Sequence, residues 1–302
     1  MISLRGRIEY IKFCIQNAKH DIDRIVLEKV LEVYAELYVN CGIDVIEPIP
    51  SDKIFLSQFE RHEFSQFGED GITEKIFETI GFTNKFYLDF GGTATSNNSE
   101  ILHKKHGFTG VLWNCDDTEC DYTKIHTESV NAENIISLCE KYEIPKEFDF
   151  LSIDIDGNDW YVFRTLCSVY KPRVVVIEYN ASFPPPEDKV VVYDPNFSWK
   201  CDTYHGASMQ AIYNLARSLG YSLVSAESTG YNLFFIRDDI QYNFYGTNDV
   251  KFLYRTPKLG HRPCGEDGKH TEECLKTYRM DGIMGHKACP PDKVWVSSSS
   301  IK

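Results

Sequence analysis

The densest run of chemistry-bearing side chains is Asp149–Asp159, DFLSIDIDGND, where a hydrophobic stretch ends in Asp154, Asp156, Asn158 and Asp159. A second apolar stretch, Arg173–Asn180, ends in Glu178, Tyr179 and Asn180. Side chains alternate along an extended chain, so Asp154 and Asp156 are expected on one face, and Glu178 and Asn180 likewise. A carboxylate at the tip of a buried strand needs a partner, because desolvating an unpaired charge is costly. Three kinds of partner suit such groups: a divalent cation, a polar group of a substrate, or the amides of the following loop. Oxygen-only donors favour Mg²⁺, Mn²⁺ or Ca²⁺ over zinc. Asp154, Asp156, Glu178 and Asn180 are the candidate ligands should the partner be a cation, with Asp154 and Asp156 also candidates at the reacting centre; capping of the following helix and loop amides is the other reading.

Three shorter sets flank these runs. Asp89-Phe90-Gly91-Gly92-Thr93-Ala94-Thr95 closes another apolar stretch. Its paired glycines let the backbone turn sharply and approach a ligand, and Asp89 offers an acceptor for an amino group. Asn114-Cys115-Asp116-Asp117 places an amide and an acid where two hydroxyls of a ribose could be held side by side. Asp202–Ser208 contains His205, whose ordinary pKa near neutrality suits a general base, and Ser208, an expected helix N-cap. In the tail, His261/Cys264, His270/Cys274 and His286/Cys289 contain enough donors for a tetrahedral zinc site but lack a full finger spacing.

The elements that must position these groups follow from periodicity. Short apolar runs at Phe86–Phe90, Gly110–Cys115, Phe148–Ile155, Arg173–Tyr179, Tyr221–Ala226 and Asn232–Arg237 alternate with helical patterns at Asp70–Ile80, Ser99–His106, Ala132–Tyr142, Trp160–Tyr170 and Ser208–Leu219. That alternation predicts an α/β fold with a mostly parallel sheet covered on both faces. Only Glu227–Tyr231 separates the last two strands, so a hairpin is expected to close one edge. In such sheets ligands bind outside the carboxyl ends of the strands, where all the sets above fall.

Before the sheet, Ile22–Cys41 has apolar residues at helical spacing, which predicts a helical hairpin extension over 1–50 with the α/β domain over 51–240. That hairpin could be a packed extension, a homodimer contact or a cap over a cleft. Residues 241–302 read as a loop-rich extension, with Ser297–Ser300 as a frayed tail. The ten cysteines are scattered, most expected as buried free thiols, and the net charge of -13 argues against nucleic acid as a partner. No stretch has the apolar length of a membrane span, and no signal core precedes a cleavage site, so the expected location is the cytoplasm.

The order Ser65–Ile72 (SQFGEDGI), the DFGG turn, LSIDIDGND, VVIEYN at Val175–Asn180, Phe183-Pro184-Pro185 and Gly206-Ala207-Ser208 resembles a branch of the FkbM-type methyltransferases, over Glu63 to Arg237. The resemblance implies a class I methyltransferase fold with a seven-stranded sheet, S-adenosylmethionine as donor, and O-methylation of a sugar, glycan or other small-molecule hydroxyl. It further implies that Gln66, Asp89, Gly91, Gly92, Asn114, Asp116 and Asp154 contact the cofactor. Asp154, Asp156 and His205 would then act on the acceptor. This chain has Ala94 and Thr95 where the family's turn usually continues with an acid and a glycine, and Asn114 where its second strand usually ends in Glu. The alternative is a non-catalytic scaffold of the same fold that binds a glycan or protein.

Overall fold

The computed structural model describes residues 49–93, 97–115, 125–200, 202–255 and 292–301. Nearly all of them fall in one compact unit, Lys53–Lys302. The expected N-terminal hairpin, Ala94, Thr95, Asp116 and the six His and Cys residues of the tail lie outside the described residues.

Nine strands are described: β1 (Phe86–Phe90), β2 (Thr109–Asn114), β3 (Ile125–Thr127), β4 (Glu147–Ile153), β5 (Lys171–Glu178), β6 (Val190–Val191), β7 (Tyr221–Ala226), β8 (Asn232–Arg237) and β9 (Trp295–Val296). Seven form one sheet in the order β3-β2-β1-β4-β5-β8-β7. β1 to β5 run parallel, and β8 pairs antiparallel with both β5 and β7. This is the class I methyltransferase sheet that the sequence leads one to expect, including the closing hairpin. From β1 the chain winds outward to β2 and β3, then returns to β4 on the other side of β1. The crevice over the tips of β1 and β4 is thus the topological switch point.

Alternation within the strands builds a core on each face. Tyr87, Phe150, Val174, Val176, Phe234 and Ile236 bury one face beneath α1 (Glu69–Ile80) and α2 (Glu100–His106). Leu88, Phe90, Leu151, Ile153, Val175 and Ile177 bury the other beneath α3 (Ile135–Lys141), α4 (Asp159–Val169) and α5 (Met209–Leu219). Ser208 is the N-cap of α5, accepting from the Ala211 amide, and Gly220 ends that helix at φ 84°. Cys139 and Cys167 are buried free thiols, both pushed up to about 12 by burial, which keeps them inert.

The tail departs from the frayed end expected of its serines. β9 pairs with β6, Asp188 accepts from the Ser298 amide at 3.0 Å and from the hydroxyls of Ser297 and Ser298 at 2.9 Å, and Ser298–Ser300 form a 3-10 turn. A single buried-side carboxylate with three donors orders a stretch that carries no periodicity of its own. Among the described residues no helix is long and apolar enough to cross a membrane.

The opposite end of the sheet is fastened by one ion pair. Asp149 is fully buried and accepts from Arg173 at 2.7 Å, from the Thr83 amide and hydroxyl, and from the Lys85 amide. Arg173 also donates to the carbonyls of Ile80 and Gly81, joining the end of α1 to β4 and β5. Burial opposes ionisation of Asp149, but Arg173 and Thr83 outweigh it and hold the carboxyl below its usual range. Arg173→Leu strands that charge and should lower stability by about 3–5 kcal/mol in urea unfolding. Because the folded pKa is depressed, the stability gained over Asp149→Asn should be fully present above the ordinary value of 3.8 and be lost as pH falls below it through the lower folded value.

Candidate active site

The tips of β1, β2 and β4 touch. The Gly91 amide donates to the Trp113 carbonyl at 3.1 Å, and the Asp154 amide to the Phe90 carbonyl at 3.0 Å. Gly91 has φ 96°, and a Cβ there would lie 1.3 Å from the Asp154 carbonyl oxygen. Only glycine allows the β1 turn and the Asp154 backbone to meet at this distance. Asn114, at the tip of β2, donates to the Gly92 carbonyl at 2.9 Å. Asp89 is 1 % exposed and lies beneath the turn, accepting from the Ser99 amide at 3.1 Å where α2 begins. Burial raises its carboxyl to about 6 against the hydrogen bonds that favour ionisation. Gly91 and Gly92 remain half-buried, and Gln66 is exposed on the loop before α1.

Past Ile153 the chain leaves the sheet and turns back on itself. Asp156 adopts φ 57°, the left-handed region. Asp159 closes the turn by accepting from the amides of Ile155 and Gly157, both at 2.8 Å, as α4 starts. The turn brings carboxylate oxygens of Asp154, Asp156 and Glu178 within 4.8 Å of one another. Asp154 is half-buried, Asp156 exposed, and Glu178 only 7 % exposed. The Glu178 Oε2 has no hydrogen-bond partner. Burial, then the charges of Asp156, Asp159, Asp89 and Glu69, push Asp154 well above the usual carboxylate range. Burial and the same turn of acids do so for Glu178. Three oxygens this close, one of them buried and orphaned, suit a hard divalent cation.

Asn180 stands apart from that group. Its Nδ2 donates to the carbonyls of Thr203 at 3.0 Å and His205 at 2.9 Å, while its Oδ1 accepts from the amide and hydroxyl of Ser182. The Asn180 amide adds a bond to the Ala207 carbonyl at 2.8 Å. The residue therefore clips the His205 loop onto the tip of β5. His205 is buried, its Nδ1 4.0 Å from Glu178 Oε2, and its ring lies 5.8 Å from that of Trp199. Phe197 packs against Gly157, where a Cβ would come within 2.2 Å of the ring.

Two acids that periodicity alone does not single out lie close behind. Glu69 is fully buried, accepts from the Phe67 amide and from Asn232 Nδ2, and is raised to about 7 by burial and by Glu227. Glu227 is likewise buried and raised by burial, with Thr229 and Tyr231 donating to it. Glu69 belongs to SQFGEDGI, whose next acid, Asp70, accepts from the amides of Glu63, Phe64 and Ser65. The signal for Glu69 was the acid pair Glu69-Asp70 opening α1 just past Phe67 and Gly68; Glu227, in the short β7–β8 connection, carried no such signal. Two surface clefts, of about 520 Å³ beside Pro185 and Lys251 and about 300 Å³ beside Trp160 and Ser298, include none of the three carboxylates.

Asn180→Ala should free the clipped loop. We expect a loss of about 1–3 kcal/mol in urea unfolding and faster amide exchange at Tyr204–Ser208, with β1, β4 and β5 unchanged. Unaltered exchange in that loop would mean that other contacts hold it.

A comparison with curated proteins gives no match. Among solved structures, an O-methyltransferase family protein from Burkholderia thailandensis is similar with a TM-score of 0.34 and 10 % identity, covering 78 % of this chain and 71 % of that chain. The description "Methyltransferase FkbM domain" matches residues 20–223, more than half of the sequence. The chain belongs to the FkbM-domain methyltransferase family.

Proposed function

We propose that the protein transfers the methyl group of S-adenosylmethionine to a hydroxyl oxygen of a sugar, glycan or similar small molecule. The observation that carries this reading is the contact between the Gly91 turn and Asp154, which sets the β1 turn beside three converging carboxylates. When bound, the donor supplies an electrophilic methyl: the acceptor oxygen forms the new C–O bond, and the C–S pair stays on sulfur as a thioether. The fit of the turn rests on half-buried Gly91 and Gly92, whose missing side chains let the turn close against Asp154 and Asn97, and on Asn114 at the tip of β2, with Asp116, two residues on in the sequence, assigned to the same ligand. Gln66 and Asp89 are assigned to the same side, Asp89 by holding the turn from beneath.

Asp154, Asp156 and Glu178 are assigned to a divalent cation, Mg²⁺ or Mn²⁺, and the orphaned Glu178 Oε2 is the atom that best supports it. Such a cation supplies positive charge that eases loss of the hydroxyl proton. His205, beside Glu178, takes that proton, and Asn180 fixes the loop from which it does so. Positioning contributes most of the rate in an in-line displacement, which is why the carboxylates and His205 sit on strand tips or on loops clipped to them.

Two measurements check the reading. Calorimetric titration with S-adenosylhomocysteine should give saturable binding; no heat at about millimolar ligand, a binding energy weaker than about 4 kcal/mol, would favour the scaffold reading instead. Mn²⁺ at a hundred times its dissociation constant should stabilise the protein by about 2.7 kcal/mol in thermal unfolding. Glu178→Gln should remove that gain. A gain that survives the change places the cation elsewhere.

A further inference from the structure

We infer that Asn158 supplies a fourth oxygen, its Oδ1, to the centre formed by Asp154, Asp156 and Glu178; this rests on the assignment of those carboxylates to a divalent cation. Asn158 is 4 % exposed, and its Oδ1 has no hydrogen-bond partner. Its Nδ2 donates to the Asp194 carbonyl at 2.7 Å. A carbonyl oxygen only accepts, so that bond fixes which end of the carboxamide is nitrogen and turns the oxygen away from Asp194. Although Asn158 is the N-cap of α4, its side chain makes no capping bond. A buried amide oxygen left in that state carries a desolvation cost that a ligand removes.

The residue also stands at the next step of a regular series. Asp154, Asp156 and Asn158 place oxygen donors at i, i+2 and i+4, the spacing of the first three ligands in calcium-binding loops. Those loops turn on a glycine at the sixth position. Here the turn is made by Asp156 at φ 57° and by Asp159, which gathers the Ile155 and Gly157 amides. It draws oxygens of Asp154 and Asp156 to within 4.8 Å of each other and of Glu178. Those three groups repel when ionised, and a neutral hydroxyl does not offset that repulsion as a cation does. An amide oxygen adds a donor without adding charge. Four protein oxygens leave about two of the six positions of an octahedral Mg²⁺ or Mn²⁺ for water or the acceptor. The Asp194 carbonyl then supports the centre from outside, aiming Asn158 from the segment that also carries Phe197.

The test uses Tb³⁺, a hard, oxygen-seeking ion whose luminescence follows binding and whose lifetimes in H₂O and D₂O count the waters bound to it. The full-length protein should bind Tb³⁺ saturably and release it to excess Mn²⁺. Asn158→Gly keeps a residue suited to an N-cap. With its circular dichroism unchanged, it should bind Tb³⁺ at least about tenfold more weakly and with about one more water on the ion. Asn158→Asp, which restores an oxygen at that position, should return the water count to that of the unaltered protein. An unchanged count in Asn158→Gly overturns the inference even where affinity falls, because a residue that only shapes the turn vacates no position on the ion. A count in Asn158→Asp that stays with the glycine variant overturns it too. Absence of any Tb³⁺ that Mn²⁺ displaces removes the cation assignment beneath the inference.

Discussion

A single steric fact organises the carboxyl edge of this protein: the space a side chain would need at residue 91 is held by the carbonyl oxygen of Asp154. The β1 turn and the β4 turn can share that space only because Gly91 has no Cβ. Through it, the two loops that flank the switch point move as one piece, and the Asp154 amide bonded to Phe90 completes the join. Everything functional is then placed relative to this contact. Asn114 reaches it from β2, Asp89 supports it from below, and Glu178 arrives from β5 through the β4–β5 ladder.

The two ends of the sheet are electrostatic opposites. At the amino end Asp149 has Arg173 in contact and is held ionised. At the carboxyl end the charges acting on Asp154 are all carboxylates, and burial drives Asp154, Asp159 and Glu178 upward. A fold selected only for stability would place a guanidinium there, as it does at the other end. Clustered acids faced by the His205 imidazole, 4.0 Å from Glu178, rather than by a guanidinium in contact are a stability cost that is commonly tolerated where a ligand is to bind.

Much of this was legible in the sequence. β1, β7 and β8 have the bounds that apolar alternation marks, and the short Glu227–Tyr231 connection announced the antiparallel pair. β3 was not, because Ile125-His126-Thr127 is too short for a period, and it exists through pairing with β2. β6 and β9 are two residues each and define one another across a long stretch of chain. The site was readable by residue type more than by geometry. Alternation places Asp154 and Asp156 together, yet β4 ends at Ile153 and it is the left-handed turn at Asp156 that gathers them. Asn180, grouped with Glu178 by the same rule, turns instead to the carbonyls of Thr203 and His205, a partner choice that no local pattern encodes. Asp70 and Glu69 were visible as a motif, but their work of fastening a loop and reaching β8 appears only in three dimensions.

The β6–β9 pair has a consequence for motion. The segment running from Asp188 to Ser208 is stitched to the sheet at its far end by Asn180 and, along its length, by strand β9 and the serines that follow it. Val190 and Ala207 of this segment lie in the main core, Tyr161 donates to the Val191 carbonyl at 2.9 Å, and Asn158 Nδ2 donates to the Asp194 carbonyl at 2.7 Å. Any displacement of the aromatic rings and the imidazole it carries is therefore tied to α4 and to the turn that bears the carboxylates.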